Sequence, residues 1–345
     1  MKKLIRLKGS RGARLAASAV AVTAAIAVAA GIEAAQANAE SSVRAKLEHG
    51  ALRINGGDAS DKIALRLNAA SSDVLEVDVG DDGSAEFSFE RADITQIVVN
   101  AGDGDDLVRF DETNGAVNAG IATTLRGGDG DDTLAGGSGA ETLRGGDGSD
   151  SIDGNRGADV GILGAGDDLF VWDPGDGSDI VEGQDGHDTM LFNGAAGPEQ
   201  FDLSSNGDRL RFFRTQGAIT MDTDGVEQVD VTALGGADTV TVNDLAPTDV
   251  SEVNVDLSGT LGGTTGDGQP DRVVVNGTDA DDTIDVSGGA GGVQVSGLAA
   301  TVGISHSEAA NDRLEINTLA GTDSVGSGGL AAGAIQLFVD GVLVP

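Results

Sequence analysis

Acidic side chains recur at a fixed spacing in the middle of this chain. Asp132, Asp150 and Asp168 lie 18 residues apart, each near the end of a glycine-rich segment. Carboxylates stacked at strand spacing, about 4.8 Å, repel by about 1 kcal/mol in water and by about 3–4 kcal/mol at an effective dielectric near 20. A row of them in register therefore requires a cation. Calcium suits such a row because it takes roughly six to eight oxygen ligands, including backbone carbonyls.

These residues belong to a nine-residue repeat. Its seven units cover residues 127–135, 136–144, 145–153, 154–162, 163–171, 174–182 and 183–191, with an insertion at 172–173. Position 4 is glycine in all seven units, position 6 is Asp in six and Glu141 in one, and position 8 is apolar except at Gly161. Glycine permits positive φ and close backbone approach, so positions 1–6 predict a tight loop and positions 7–9 a short strand.

A nine-residue period fits neither a helix nor an alternating strand. It fits a coil of two loops and two short strands that returns to the same side every 18 residues. In that coil Leu134, Ile152 and Phe170 would stack on one inner wall, and Leu125 and Leu143 on the other. The sequence therefore predicts two walls of parallel strands with a loop edge on either side.

The two loop edges differ in their acidic residues. The edge opposite Asp132 carries Glu141, Asp159 and Asp179 and is less regular, so we expect it to bind calcium less completely. Magnesium demands stricter octahedral geometry, and zinc prefers His or Cys ligands. The chain has no Cys and only three His, which favours calcium.

The units resemble the RTX, or hemolysin-type, calcium-binding nonapeptide G-G-x-G-x-D-x-U-x. The resemblance covers 127–191, although units 154–162 and 163–171 lack some of the glycines. It implies a parallel β-roll whose six-residue loops hold calcium between successive coils. It implies side-chain ligands at Asp132, Asp150, Asp159, Asp168, Asp179 and Asp188. It also implies carbonyl ligands near Gly128, Gly130, Gly146, Gly148, Gly164 and Gly166.

The flanks repeat a weaker relative of this pattern, with alternating strands between the copies. Segment 55–63 aligns with 276–284, and 100–108 with 319–325. We infer that residues 50–111 and 272–326 are copies of one β-module. Their acidic residues, and that of a partial third copy, are interpreted as turn formers: Asp61, Asp238, Asp282 and Asp323. Asp106 is the exception and a candidate calcium ligand, because residues 102–106 keep most of the loop.

Together these patterns predict an all-β fold, a parallel β-roll or right-handed β-solenoid with flanking irregular β-modules. The predicted divisions are a signal peptide at 1–39, an N-terminal β-module at 40–117, the repeat β-roll at 118–194, a partial β-module at 195–270 and a C-terminal β-module with a cap at 271–345.

The first 39 residues predict export. Six basic residues precede an uncharged, Ala-rich run at 15–30, and Ala37, Asn38 and Ala39 fit an A-x-A cleavage site. The alternative is an uncleaved signal anchor. Cleavage would remove six basic residues and one acidic residue, taking the net charge from −36 to −41. We expect the mature chain to be extracellular, without stable membrane insertion.

Composition excludes several functional classes. With 57 acidic and 21 basic residues, the chain repels phosphate, so nucleic acid is not an expected partner. The absence of Cys excludes disulfides and Cys nucleophiles, and neither HExxH nor G-x-S-x-G occurs. A hydrolase with a repeat tail needs a catalytic domain, for which the flanking β-modules leave no room. We therefore predict no enzyme.

The sequence favours a secreted, non-enzymatic calcium-binding repeat protein that folds when it meets calcium. The alternative is a cell-surface or matrix adhesin on the same scaffold, with an unknown partner. A disordered acidic linker is disfavoured when calcium is present, because linkers lack an apolar residue at every ninth position.

Overall fold

Two long β-sheets share one apolar core in this protein. The computed structural model describes residues 43–345, which belong to one compact unit; the predicted signal peptide at 1–39 lies outside them. Sheet A has 15 strands and sheet B has 14. The buried apolar residues of both sheets form a single cluster. Among the described residues the only helical segments are three short 3-10 turns, at Arg91–Asp93, Glu112–Asn114 and Gln216–Ala218.

The N-terminal part begins the two sheets and adds a meander to sheet B. Its strands are β1 (Arg44–Glu48), β2 (Ala51–Asn55), β3 (Lys62–Asn68), β4 (Ser71–Val79), β5 (Phe87–Glu90), β6 (Gln96–Asp103) and β7 (Leu107–Asp111). β1 pairs antiparallel with β2, and β2 pairs parallel with β6, in sheet A. β3, β4 and β5 are antiparallel neighbours in sheet B, and β7 returns parallel to β3.

The repeat region is a regular parallel β-roll. Its strands are β8 (Ala122–Asp129), β9 (Thr133–Ala135), β10 (Glu141–Asp147), β11 (Ser151–Asp153), β12 (Val160–Ala165), β13 (Leu169–Trp172), β14 (Ile180–Asp185) and β15 (Thr189–Asn193). The chain alternates between sheet A and sheet B at every strand. Leu143 pairs with Leu125, and Ile152 pairs with both Leu134 and Phe170. Both predicted walls are therefore confirmed.

The two walls have unequal strand lengths. The sheet B strand β11 has the three residues that the repeat predicts, whereas β10 in sheet A has 7. The sheet A strands are longer because they continue through the first three positions of the following loop. One break in the apolar wall is compensated across the core: a Cβ at Gly161 would lie 2.8 Å from the ring of Phe170, which fills that space.

A second meander interrupts sheet A after the roll. The next strands are β16 (Gln200–Asn206), β17 (Arg209–Arg214), β18 (Ile219–Asp224), β19 (Gln228–Thr232), β20 (Thr239–Val242), β21 (Glu252–Asp256) and β22 (Arg272–Asn276). β18, β17 and β16 are antiparallel neighbours between β14 and β20. The aromatic core lies here, where Trp172 stacks on Phe192 with ring centroids 3.9 Å apart.

The C-terminal part repeats the topology of the N-terminal module. Its strands are β23 (Thr283–Gly289), β24 (Gly292–Ser296), β25 (Thr301–Ser305), β26 (Arg313–Asn317), β27 (Ser324–Leu330), β28 (Gln336–Val339) and β29 (Val342–Leu343). β23, β24 and β25 form an antiparallel meander in sheet B, β26 lies in sheet A, and β27 pairs parallel with β23. β3 to β7 follow the same order.

Candidate metal centre

A ladder of buried acidic residues follows the edge at which the chain crosses from sheet A to sheet B. Each rung immediately precedes a sheet B strand. In spatial order the rungs of this first ladder are Asp61, Asp106, Asp132, Asp150, Asp168, Asp188 and Glu227. Every predicted ligand on this edge, including Asp106, therefore lies in one row.

Backbone hydrogen bonds hold the rungs in register. The N–H of Asp132 donates to Oδ1 of Asp150 at 2.8 Å, and the N–H of Asp150 donates to Oδ1 of Asp168 at 2.7 Å. The same contact recurs along the whole ladder. At one end the N–H of Asp61 donates to Asp106 at 2.6 Å, and at the other end the N–H of Asp188 donates to Glu227 at 2.8 Å. From Asp106 onward, each carboxylate thus has one oxygen occupied by the neighbouring coil.

The other carboxylate oxygen is buried and has no partner at five consecutive rungs. These orphan Oδ2 atoms belong to Asp106, Asp132, Asp150, Asp168 and Asp188. None of the five residues is more than 2% exposed. Leaving a buried acceptor unpaired costs about 1–3 kcal/mol, and more when it is charged. A cation between the rungs would remove this cost at each position.

Burial raises the pKa of these carboxyls well above the ordinary Asp range. The pKa of Asp132 and of Asp188 rises to about 6, and that of Asp150 to about 7. Loss of solvent is the main cause. The backbone hydrogen bond opposes it, and the charges of neighbouring rungs add to it. Near neutral pH the ladder therefore needs protons or metal ions to neutralise it.

The loop glycines bring successive coils into contact. Gly146 has a φ of +139°, and a Cβ there would lie 2.0 Å from the carbonyl oxygen of Gly128. Five of the six predicted carbonyl ligands have their carbonyl oxygen directly beside the Cβ position of a glycine in the next coil: Gly128, Gly130, Gly146, Gly148 and Gly166. The sixth, Gly164, pairs instead with Gln184. The glycine columns therefore place carbonyl oxygens between successive coils.

A second ladder occupies the opposite edge of the roll, and it is less regular. The N–H of Glu141 donates to Asp159 at 2.7 Å, and the N–H of Asp159 donates to Asp179 at 2.8 Å. Both oxygens of Glu141 are satisfied, one by the side chain of Asn118 and one by the N–H of Gly137. Of its three carboxylates only Asp159 retains an orphan oxygen, and burial raises its pKa to about 8.

A third ladder lies further along that edge, beyond the meander of β16 to β18. Its rungs are Glu199, Asp238, Asp271 and Asp312, each immediately before a sheet A strand. The carboxylate of Asp238, which was interpreted as a turn former, accepts the N–H of Glu199 from another coil and keeps an orphan Oδ2. Asp61 and Asp282 do cap their own loops, by accepting the N–H groups of Gly57 and Thr278.

An arginine supplies the counter-charge at the first rung of the third ladder. Glu199 is 2% exposed and pairs with the guanidinium of Arg214 from β17. Its second oxygen accepts the N–H of Ala195 at 2.6 Å. Four rungs were not predicted from the repeat pattern: Glu199, Glu227, Asp271 and Asp312. Their shared signal is an acidic residue directly before an alternating strand.

The donor set fits calcium, although no cluster of three side chains is present. Within residues 43–345 no three Asp, Glu or His side chains converge on one point. Each gap of the first ladder instead offers two carboxylates, and backbone carbonyls would have to complete the shell. An all-oxygen set of this kind suits calcium, whereas zinc prefers nitrogen and sulfur.

One comparison with known proteins, against family models, matches the repeat. The family of RTX calcium-binding nonapeptide repeats, described as 4 copies, matches residues 122–146, 135–170 and 175–194. No curated protein sequence matches the chain. Among solved structures, the extracellular lipase LipA from Serratia marcescens is similar at 12% identity with a TM-score of 0.20. That alignment covers 61% of this chain and 43% of the lipase, so the chain spans less than half of the lipase's length. In the described part of the chain, no helix is long and apolar enough to span a bilayer.

Proposed function

Because residues 122–170 and 175–194 carry RTX calcium-binding nonapeptide repeats, we propose that the chain is a secreted, non-enzymatic calcium-binding protein. Calcium would bind between stacked coils and drive folding outside the cell. The predicted signal peptide at 1–39 supports export, and the mature chain would begin at residue 40. The row of five orphan carboxylate oxygens on the first ladder carries the proposal.

The chain's own residues would hold the ions in a defined way. Asp132, Asp150 and Asp168 would each use the free Oδ2, because Oδ1 already accepts a backbone N–H. Asp188 and Asp106 would extend the row at its two ends, and Asp159 and Asp179 would act on the opposite edge. The glycine carbonyls would supply the remaining oxygens. Bound calcium would supply positive charge where the fold has only buried acidic groups.

The energetic effect is large enough to control folding. Extracellular calcium modules commonly have a Kd of about 0.1–1 mM. At roughly 1 mM free calcium, one site with a Kd of about 0.1 mM stabilises the fold by about 1.4 kcal/mol. Several such sites acting together would match the whole stability of a small domain, about 5–15 kcal/mol.

A calcium titration of residues 40–345 tests this proposal. We expect far-ultraviolet circular dichroism to show a gain of β-structure on calcium addition, and calorimetry to show saturable binding. Magnesium at the same concentration should have a much smaller effect. A chain that keeps its full β signal in chelator and takes up no calcium would contradict the proposal.

A further inference from the structure

The middle of the third ladder has the same arrangement as the first ladder but lies outside the matched repeats. Asp238 and Asp271 are 1% and 3% exposed. Oδ1 of Asp238 accepts the N–H of Glu199 at 2.7 Å, and the N–H of Asp238 donates to Asp271 at 2.8 Å. Oδ2 of Asp238 is buried and has no partner. When the carboxyl is ionised, this orphan oxygen has no neighbour that stabilises its charge.

An insertion brings a third carboxylate to the loop beside this gap. Residues 257–271 connect β21 to β22, and within them Oδ2 of Asp267 accepts the N–H of Gly236 at 2.7 Å. Gly236 belongs to the loop that ends at Asp238. Burial is the main cause of the raised pKa of Asp238, Asp271 and Asp312, and the charge of Asp267 adds to it at each. The insertion therefore brings negative charge to a place that already has an excess of it.

Nearby basic side chains form their ion pairs with other acidic residues. Arg214 pairs with Glu199 at the preceding rung. Arg272 and Arg313 directly follow Asp271 and Asp312 in the sequence, yet both pair with Glu315. In the part of the chain that the structure describes, no Lys, Arg or His forms an ion pair with Asp238, Asp267 or Asp271. Protein cations therefore do not neutralise this group.

We propose that the gap between Asp238 and Asp271, with Asp267 beside it, is a calcium site outside the RTX repeats. The available ligands are carboxylate oxygens, which suit a hard divalent cation. Glu199 provides an internal comparison, because at that rung an arginine supplies the positive charge and no orphan oxygen remains. The site extends the proposed function to residues 199–271, and it can be absent while the repeats still bind calcium.

Counting bound ions on the full mature chain tests the site. Native mass spectrometry in calcium is compared for the wild type, Asp238→Asn and Asp208→Asn. Asp238→Asn keeps the Oδ1 acceptor but removes the charge. Asp208→Asn makes the same charge change in the exposed hairpin between β16 and β17. We expect Asp238→Asn to bind one calcium ion fewer, and Asp208→Asn to bind as many as the wild type.

Hydrogen exchange locates the effect. Calcium should slow amide exchange at 233–238 and 266–271 in the wild type, and Asp238→Asn should lose this effect while repeats 127–191 keep theirs. Asp267→Asn is a second variant for the case in which Asp238→Asn does not fold, because it alters a half-exposed residue. It should also lose the calcium-dependent protection at 233–238 and 266–271. An unchanged ion count, or calcium-dependent protection of 233–238 that persists in both variants, would overturn the site. Loss of calcium response in the wild-type repeats would instead refute the proposed function.

Discussion

The effect of Asp150→Asn on the free energy of unfolding should have opposite signs in calcium and in chelator. Asparagine keeps the oxygen that accepts the N–H of Asp132 but removes the buried charge. The pKa of Asp150 is about 7 in the fold, against an ordinary value of 3.8. At pH 8 the ionised carboxylate therefore destabilises the metal-free fold by at most about 4 kcal/mol. We expect about 1–3 kcal/mol of this to be recovered, because relaxation of the fold reduces the effective cost of a buried charge.

In calcium the same variant should be less stable than the wild type. Asp150 borders two gaps of the first ladder, toward Asp132 and toward Asp168, so both would lose a carboxylate ligand. At calcium concentrations well above both Kd values, a tenfold weaker affinity at each gap corresponds to about 1.4 kcal/mol per site, or about 3 kcal/mol in total. The gain of about 1–3 kcal/mol in the metal-free fold offsets part of this loss. The free energy of unfolding should therefore rise in chelator and fall by up to about 2 kcal/mol in calcium.

Urea denaturation measures both effects. The fluorescence of Trp172, the single Trp of the chain and fully buried, reports unfolding. An equal concentration of a stabilising osmolyte in all samples populates the folded state in chelator. Asp147→Asn is the matched control, because it removes an exposed carboxylate from the same loop. A variant that is destabilised equally in both buffers, or unaffected in both, would refute the metal-bridged ladder.

Three further perturbations test other parts of the structure. In chelator, lowering the pH from about 8 to about 5 should restore β-structure in a circular dichroism titration. Carboxyls whose pKa is raised in the fold stabilise it when they are protonated, and this contribution is lost as the pH rises through about 6–8. Stability that instead increases with pH would contradict this. Gly146→Ala should lower the free energy of unfolding in calcium, measured by urea denaturation, by about 2–4 kcal/mol. Gly175 also has positive φ but open space around its Cβ position, so Gly175→Ala should cost only about 1–2 kcal/mol. Equal losses would exclude the carbonyl contact as the cause. Arg214→Met should lower the free energy of unfolding by about 3–5 kcal/mol, because it leaves Glu199 buried without a counter-charge. Adding Glu199→Gln should restore most of that loss. Additive effects of the two substitutions would argue against a stabilising ion pair between Arg214 and Glu199.

The sequence determined the repeat region because each coil contacts only its neighbours. A fixed nine-residue period places residues 18 apart in equivalent positions, so Asp132, Asp150 and Asp168 could be aligned without a structure. The walls of Leu125 and Leu143 follow from the same arithmetic. The need for glycine is equally local, since a side chain at Gly146 would overlap the carbonyl of the preceding coil.

Only the tertiary structure showed how far the ladders extend. Consecutive rungs beyond the roll are separated by 26, 33, 39, 41 and 45 residues, because antiparallel meanders and insertions lie between them. No fixed period marks Asp238 or Glu227 as rungs, so a pattern search reads them as loop residues. The pairing of Arg214 with Glu199 likewise depends on a hairpin folding back beside its own first strand. Contacts between neighbouring coils obey the repeat, whereas contacts made across inserted strands depend on the pairing of the whole sheet.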